Sequence, residues 1–154
     1  MPTRYKYTVN RVLVDKREAY VQISLFKPTA MSVRIAQVHV NTAENTLNSF
    51  DIPDEANQGL GLSYALIALG VAHLRRGQAQ TVIVPDCNEL SSRPLVKCGF
   101  VESEVVAVQT KSKNIRRSTC TSDDPEGVEA VARAKLATRQ IELVFHNPHT
   151  CVIL

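Results

Sequence analysis

Asp51-Ile52-Pro53-Asp54-Glu55-Ala56-Asn57-Gln58-Gly59-Leu60-Gly61-Leu62-Ser63 carries the chain from an extended segment, 47–52, into a strongly apolar helix, 62–76. Gly59 and Gly61 permit backbone angles in this turn that side chains forbid. A glycine turn opening a helix aims several N–H groups and the positive end of the helix dipole at one point, which is a site for phosphate oxygens. It is not a nucleotide P-loop, because no Gly-Lys-Ser/Thr follows. It is not a dinucleotide fingerprint either, because Tyr64 stands where the third glycine would be. Taken alone, the turn serves equally well as a strand-to-helix connection that binds nothing.

The next elements follow with little slack. The helix is apolar almost all round, as a helix covered on several sides should be, and closes on Arg75-Arg76 with Gly77 as its expected cap. His73 within it reads as a packed or capping histidine. Residues 81–84, Thr-Val-Ile-Val, form a short apolar strand suited to a parallel pairing buried on both faces, and Pro85 is expected to end it. A short helix after Asn88 is interrupted by Pro94, which kinks it or starts its second half. Cys98-Gly99-Phe100 then turns into a further strand over 101–108.

With both halves in view, residues 51–100 resemble the GNAT superfamily of acyl-CoA-dependent N-acetyltransferases. The pyrophosphate turn of that family reads Gln/Arg-x-x-Gly-x-Gly/Ala, and Gln58, Gly61 and Ser63 fill those positions, Ser63 as a small-residue departure. The family's next helix carries an Asn, a small residue three later and Gly-Phe eleven and twelve later. Asn88, Ser91, Gly99 and Phe100 fall at those offsets.

The resemblance implies an α+β, three-layer fold: a mixed, mostly antiparallel sheet with a central splayed pair of parallel strands and helices on its faces. It implies an N-acetyltransferase that moves an acetyl group from acetyl-CoA, its co-substrate, to an amine by direct attack. Gln58, Gly59, Leu60, Gly61, Leu62 and Ser63 then bind the pyrophosphate, largely through backbone, and Asn88 lies along the pantetheine arm. A homodimer is a further expectation, because the family ends on a hairpin whose last strand is sometimes exchanged between protomers.

Two departures stand out. Seven residues after the motif Asn, many family members carry a Tyr thought to protonate the departing thiolate, and this chain has Leu95. General-acid help is typically worth about a hundredfold to ten-thousandfold, although a thiol with a pKa of about 8 to 9 leaves as thiolate unaided. The family also inserts one or two helices after its first strand, and no helical pattern precedes residue 53 here. The rival reading is a catalytically degenerate GNAT-like protein acting as a binding or assembly module.

Before the turn the pattern is strand after strand. Residues 8–14 and 19–26 alternate across a polar turn at Asp15-Lys16-Arg17, as a hairpin should. Residues 33–40 alternate as well after the break at Lys27-Pro28-Thr29, giving an antiparallel meander. After it, residues 111–127 are polar and read as a long solvated loop, with Lys111, Lys113, Arg116 and Arg117 followed by Asp123, Asp124 and Glu126. Residues 128–137 are alanine-rich and helical in pattern, and 140–145 form the last strand. A single domain over 1–146 with a tail at 147–154 accounts for the chain.

Composition narrows the function classes. At 154 residues the chain is long enough for one core. Its 18 basic and 15 acidic residues leave a net charge of only +3, too little to argue for nucleic-acid binding, and no aromatics interleave the basic residues after 111. No run of eighteen apolar residues spans a membrane and no signal peptide opens the chain, so a cytoplasmic protein is expected. The four cysteines, Cys87, Cys98, Cys120 and Cys151, show no Cys-x-x-Cys pairing, so no metal site or disulfide framework is expected. His146, His149 and Cys151 cluster near the end, where a tail is the simpler reading. The final Cys151-Val152-Ile153-Leu154 matches a geranylgeranyl signal, which acts only in a eukaryotic cytosol.

An attacking amine must lose a proton, which calls for a carboxylate or histidine near the thioester. Asp51, at the end of the strand before the turn, and Glu55, just after it, are the candidate bases, with Asp54 and His39 as alternatives. Tyr64 and Tyr20 are candidates to replace the missing acid.

Overall fold

The computed structural model describes residues 2–103, 106–109 and 114–146. Lys111, Lys113, His149 and the 151–154 ending lie outside the described residues. The expected meander is present: β1 (Thr3–Val14), β2 (Arg17–Lys27), β3 (Ala30–Asn41) and β4 (Thr46–Asp51) pair antiparallel in sequence order. Asp15 and Lys16 both take positive φ, 53° and 65°, and so form the two-residue hairpin loop whose twist matches the strands it joins. In the turn between β3 and β4 the Asn41 side chain accepts hydrogen bonds from the N–H groups of Ala43 and Glu44.

Alternation along these strands separates two faces. Val21, Ile23, Leu25, Val38, Val40 and Leu47 are buried against α1 (Leu62–Arg76), whose ends fall where the sequence pattern put them. Nearly every position of α1 is buried, because the sheet covers one flank and α3 (Pro125–Thr138) another. The opposite face of the meander carries Thr8, Asn10, Gln22, Ser24, His39, Thr46 and Asn48. Amide side chains there donate to hydroxyls two residues away: Asn10 to Thr8, Gln22 to Ser24 and Asn48 to Thr46. No described helix packs closely on that face, as the lack of early helical sequence implies.

After α1 come β5 (Val82–Cys87), α2 (Glu89–Lys97), β6 (Val101–Glu102), β7 (Val106–Gln109), β8 (Asn114–Ser122), α3 and β9 (Ile141–Phe145). The sheet runs β6-β8-β5-β4-β3-β2-β1-β9, with β7 also paired to β8. β4 and β5 are parallel and meet through the pair Thr46 and Ile83, where the Ile83 N–H donates to the Asn45 carbonyl at 3.0 Å. From there the described strands part. The result is the expected mixed, mostly antiparallel α+β fold with a splayed parallel pair at its centre.

Five expectations are corrected. Pro85 does not end β5; the strand continues to Cys87 across a register shift against β8 between Val84 and Cys87, which tolerates a residue without an N–H. The polar stretch after 111 is not all loop. Asn114–Ser122 forms β8 between β5 and β6, and alternation is visible in Ser118, Cys120 and Ser122, all buried; small polar residues there hide the pattern from a hydrophobicity reading. The strand expected over 101–108 is interrupted after Glu102. Helix α3 begins at Pro125, capped by the Asp124 side chain, which accepts from the Gly127 N–H at 3.1 Å. The last strand makes no hairpin with its predecessor: α3 crosses α1 and delivers β9 to the far edge, parallel to β1.

Candidate functional site

A cavity of about 250 Å³ opens where β4 and β5 part. Phe50 and Asp51 from the end of β4, Ile52 just after it, Gln58 and Gly59 from the glycine turn, and Ser63, Leu66 and Ile67 from the start of α1 form one side. Asn88, Leu90, Ser91 and Pro94 from α2 form the other. Consecutive side chains of a regular strand point to opposite faces, so Phe50 and Asp51 would not both face one cavity. Here Ser49 takes φ 55° and the register with β3 shifts between Gln37 and His39, so the β4 backbone itself turns along the wall.

Local chemistry explains each position. In the loop 52–58 the Asp54 carboxylate accepts from the Ala56 N–H, its carbonyl accepts from the Asn57 N–H, and the Gln58 amide donates to the Ile52 carbonyl at 3.0 Å. Asp54 and Gln58 therefore hold the loop shut across its base. Glu55 opens the short 3-10 turn there. Gly61, at φ 90°, is the N-cap of α1, with no side-chain cap and no acidic residue in the first turn, so the leading N–H groups of the helix lack a side-chain partner.

Asn88 caps α2: its Oδ1 accepts from the Ser91 N–H at 2.9 Å, while its own N–H donates to Ser91 Oγ at 3.1 Å. This reciprocal pair explains the three-residue spacing of Asn88 and Ser91 by helix capping. Pro94 lies within a continuous α2.

Of the residues singled out in the sequence, Asp51, Gln58, Gly59, Ser63 and Asn88 line this one cavity. Leu60, Gly61 and Leu62 do not line it with side chains: Leu60 is exposed, Gly61 caps the helix and Leu62 is in the core. Phe50, Ile52, Leu66 and Ile67 belong to the wall and were missed by sequence reading. The signal for the last two was their helical offset of three and four from Ser63.

Leu95 is fully buried and has no access to the cavity. Tyr64 is buried on the α3 side of α1, with the Arg139 guanidinium 4.9 Å above its ring. His39 stacks on Tyr20 on the uncovered face, ring centroids 4.3 Å apart. Burial, and then Arg34, lowers its pKa, so its imidazole is neutral at pH 7.

The overall fold recurs in solved structures. A GCN5-related N-acetyltransferase from Rhodopseudomonas palustris is 15% identical and matches over 68% of this chain and 61% of its own, with a TM-score of 0.52. The fold is the GNAT fold. yncA of Salmonella typhimurium, solved with its cofactor acetyl-CoA, is 14% identical over 68% of this chain and 64% of its own, TM-score 0.54. The ribosomal-protein-S18-alanine N-acetyltransferase of Escherichia coli is 12% identical over 75% and 92%, TM-score 0.55. This chain spans less than two thirds of the length of the first two. No family model and no curated protein sequence matches it. The GNAT fold is thus reached with Leu95 enclosed in the core and with α3 lying against α1. No described helix is long and apolar enough to cross a membrane, and no described cluster of His, Cys, Asp and Glu could hold a metal ion.

Proposed function

We propose that this protein is an N-acetyltransferase that binds acyl-CoA at the fork between β4 and β5 and transfers the acyl group to an amine. The observation that carries this reading is the cavity at the fork, with the uncapped first turn of α1 at its rim. Uncapped N–H groups and the positive dipole end suit a pyrophosphate. The backbone of residues 59–63 would hold it, with Gln58 keeping the loop closed behind it. Ser91 and Asn88 offer polar atoms to the amides of a pantetheine arm, and Leu66, Ile67 and Pro94 offer its apolar flank. Acetyl-CoA is the donor we favour.

In the transfer the amine nitrogen attacks the thioester carbonyl carbon, the C–N bond forms, the C–S bond breaks and the sulfur leaves as thiolate. The amine's proton passes to a base. Asp51, an exposed carboxylate on the cavity wall, is the base we assign, with Glu55 in the adjoining turn as the second candidate. Leu95 supports a thiolate that leaves without a proton donor, which its ordinary pKa of about 8 to 9 allows.

Calorimetric titration of acetyl-CoA into the native chain and into Ser63→Glu tests the reading. Ser63 faces the cavity, so a carboxylate there opposes a phosphate without the backbone strain that any side chain at Gly61 would bring. Micromolar binding lost in the variant is the expected result. No heat and no thermal shift with any acyl-CoA on the native chain would sink it.

A further inference from the structure

The glycine turn has a cationic neighbour that the sequence motif does not contain. A β-carbon on Gly61 would stand 2.5 Å from Arg139 Cδ and 3.0 Å from its Nε, so Gly61 is bare where the arginine stem crosses it. Arg139 comes from the far end of the chain, as the C-cap of α3. Its Nη1 donates to the Lys135 carbonyl at 3.1 Å, and its guanidinium lies 4.9 Å over the Tyr64 ring, which fixes the plane of the group. Among the described residues it makes no ion pair. No described lysine or arginine lines the cavity, and the first turn of α1 holds no acidic residue that Arg139 could serve.

An oriented planar cation without a described acidic partner, touching a helix-opening turn that has no side-chain cap, suits an oxyanion better than water. We propose that Arg139 is a phosphate-binding residue of the acyl-CoA site, its guanidinium reaching over Gly61 to the coenzyme's phosphate oxygens. The inference rests on the acyl-CoA reading above. It gives the α3–β9 unit a role at the site: α3 runs antiparallel to α1, its start tied to Arg75 through Glu129 and its end set beside Gly61. The phosphate is either the pyrophosphate or the ribose 3′-phosphate.

The test is calorimetry of the native chain and Arg139→Gln with CoA, 3′-dephospho-CoA and pantetheine, circular dichroism checking the fold. The glutamine keeps a stem over Gly61 and removes the charge. Arg139→Gln is expected to bind CoA roughly tenfold to a hundredfold more weakly, the loss of a charge-assisted hydrogen bond, and to bind pantetheine as the native chain does. An equal loss for 3′-dephospho-CoA assigns the contact to the pyrophosphate; a loss confined to CoA assigns it to the 3′-phosphate. Unchanged CoA affinity, or an equal loss for pantetheine, overturns the proposal. If the glutamine variant does not fold, Arg139→Lys keeps the charge without the fork and should lose severalfold, with the same overturning outcomes. A native chain that does not bind CoA removes the acyl-CoA reading itself, and Arg139's role with it.

Discussion

Gly70, in the middle of α1, lies so close to Leu47 of β4 that a β-carbon on it would fall 2.8 Å from Leu47 Cδ2. Leu47 is fully buried and follows Thr46, the residue through which β4 meets β5. The contact therefore sets the height of α1 over the fork.

Gly70→Ala should destabilise the protein although alanine is the better helix former. The propensity gain is at most about 1 kcal/mol, while overpacking an enclosed site costs about 1 to 3 kcal/mol. Urea unfolding should show a lower midpoint, and Leu47→Val in the same chain should recover part of the loss, since the two sites are coupled through one contact. A midpoint raised by Gly70→Ala alone would mean that Leu47 moves aside freely.

Leu95→Tyr should not restore a proton donor. The side chain at 95 is enclosed by the core and does not reach the cavity, so the added ring overpacks α2 against the sheet at a cost of about 1 to 3 kcal/mol. The expected outcome is a lower melting temperature with no faster acetyl transfer. A rate gain at unchanged stability would show that the position opens to the bound coenzyme.

The fork was implied only by the resemblance carried by residues 51–100, whereas the meander and α1 were legible directly, from a period of two in the strands and all-round apolarity in the helix. β8 was not, because its buried positions are Ser118, Cys120 and Ser122, which satisfy the sheet without looking hydrophobic. β9 was legible as a strand, but its pairing with β1 is a contact between chain ends that no local pattern encodes. Within the site, the glycine turn and Asn88 could be read from spacing. The wall residues Phe50 and Ile52 could not, because the irregularity at Ser49 that turns the β4 backbone is a left-handed serine, with no glycine to mark it. The place of Arg139 beside Gly61 was hidden for the reason that hid the pairing of β9.

The described cysteines should be inert in the folded protein. Cys87, Cys98 and Cys120 are buried. Burial pushes the Cys98 thiol up to about 11 and, with Cys87 beside it, the Cys120 thiol up to about 12. Burial raises Cys87 as well. The thiolate is the reactive form, so in a Cys151→Ser chain a disulfide reagent at pH 8 should find no fast-reacting thiol until guanidinium unfolds the protein, and then three. A thiol titrating rapidly in the native state would contradict the packing around β5, β8 and the end of α2.

Stability should fall as the solution is acidified through the histidine range, and His73 should carry part of that fall. Its Nδ1 is enclosed without a hydrogen-bond partner. Burial first, and then Arg76, with a smaller contribution from Arg11, lower its pKa against the opposing pull of Glu18. His39 is lowered too, by burial and then Arg34. An unfolded histidine takes up its proton near pH 6.5. With the folded pKa below that, the unfolded state binds more protons as pH drops through about 6.5, so the stabilisation is complete above this value and is lost towards the folded pKa. Glu129 follows the same sign in a lower window. Burial works to raise its pKa, but hydrogen bonds at 2.7 Å from Arg133 and Arg75 more than offset it, so the carboxylate's contribution is lost only as pH falls below the usual carboxylate range. Urea midpoints between pH 7.5 and 5.5 should therefore slope less in His73→Gln than in the native chain, and less again with His39→Gln added, while Glu129→Gln leaves that slope alone and flattens the fall below pH 5. An unaltered slope in the double histidine variant would mean that neither imidazole is held neutral by the fold.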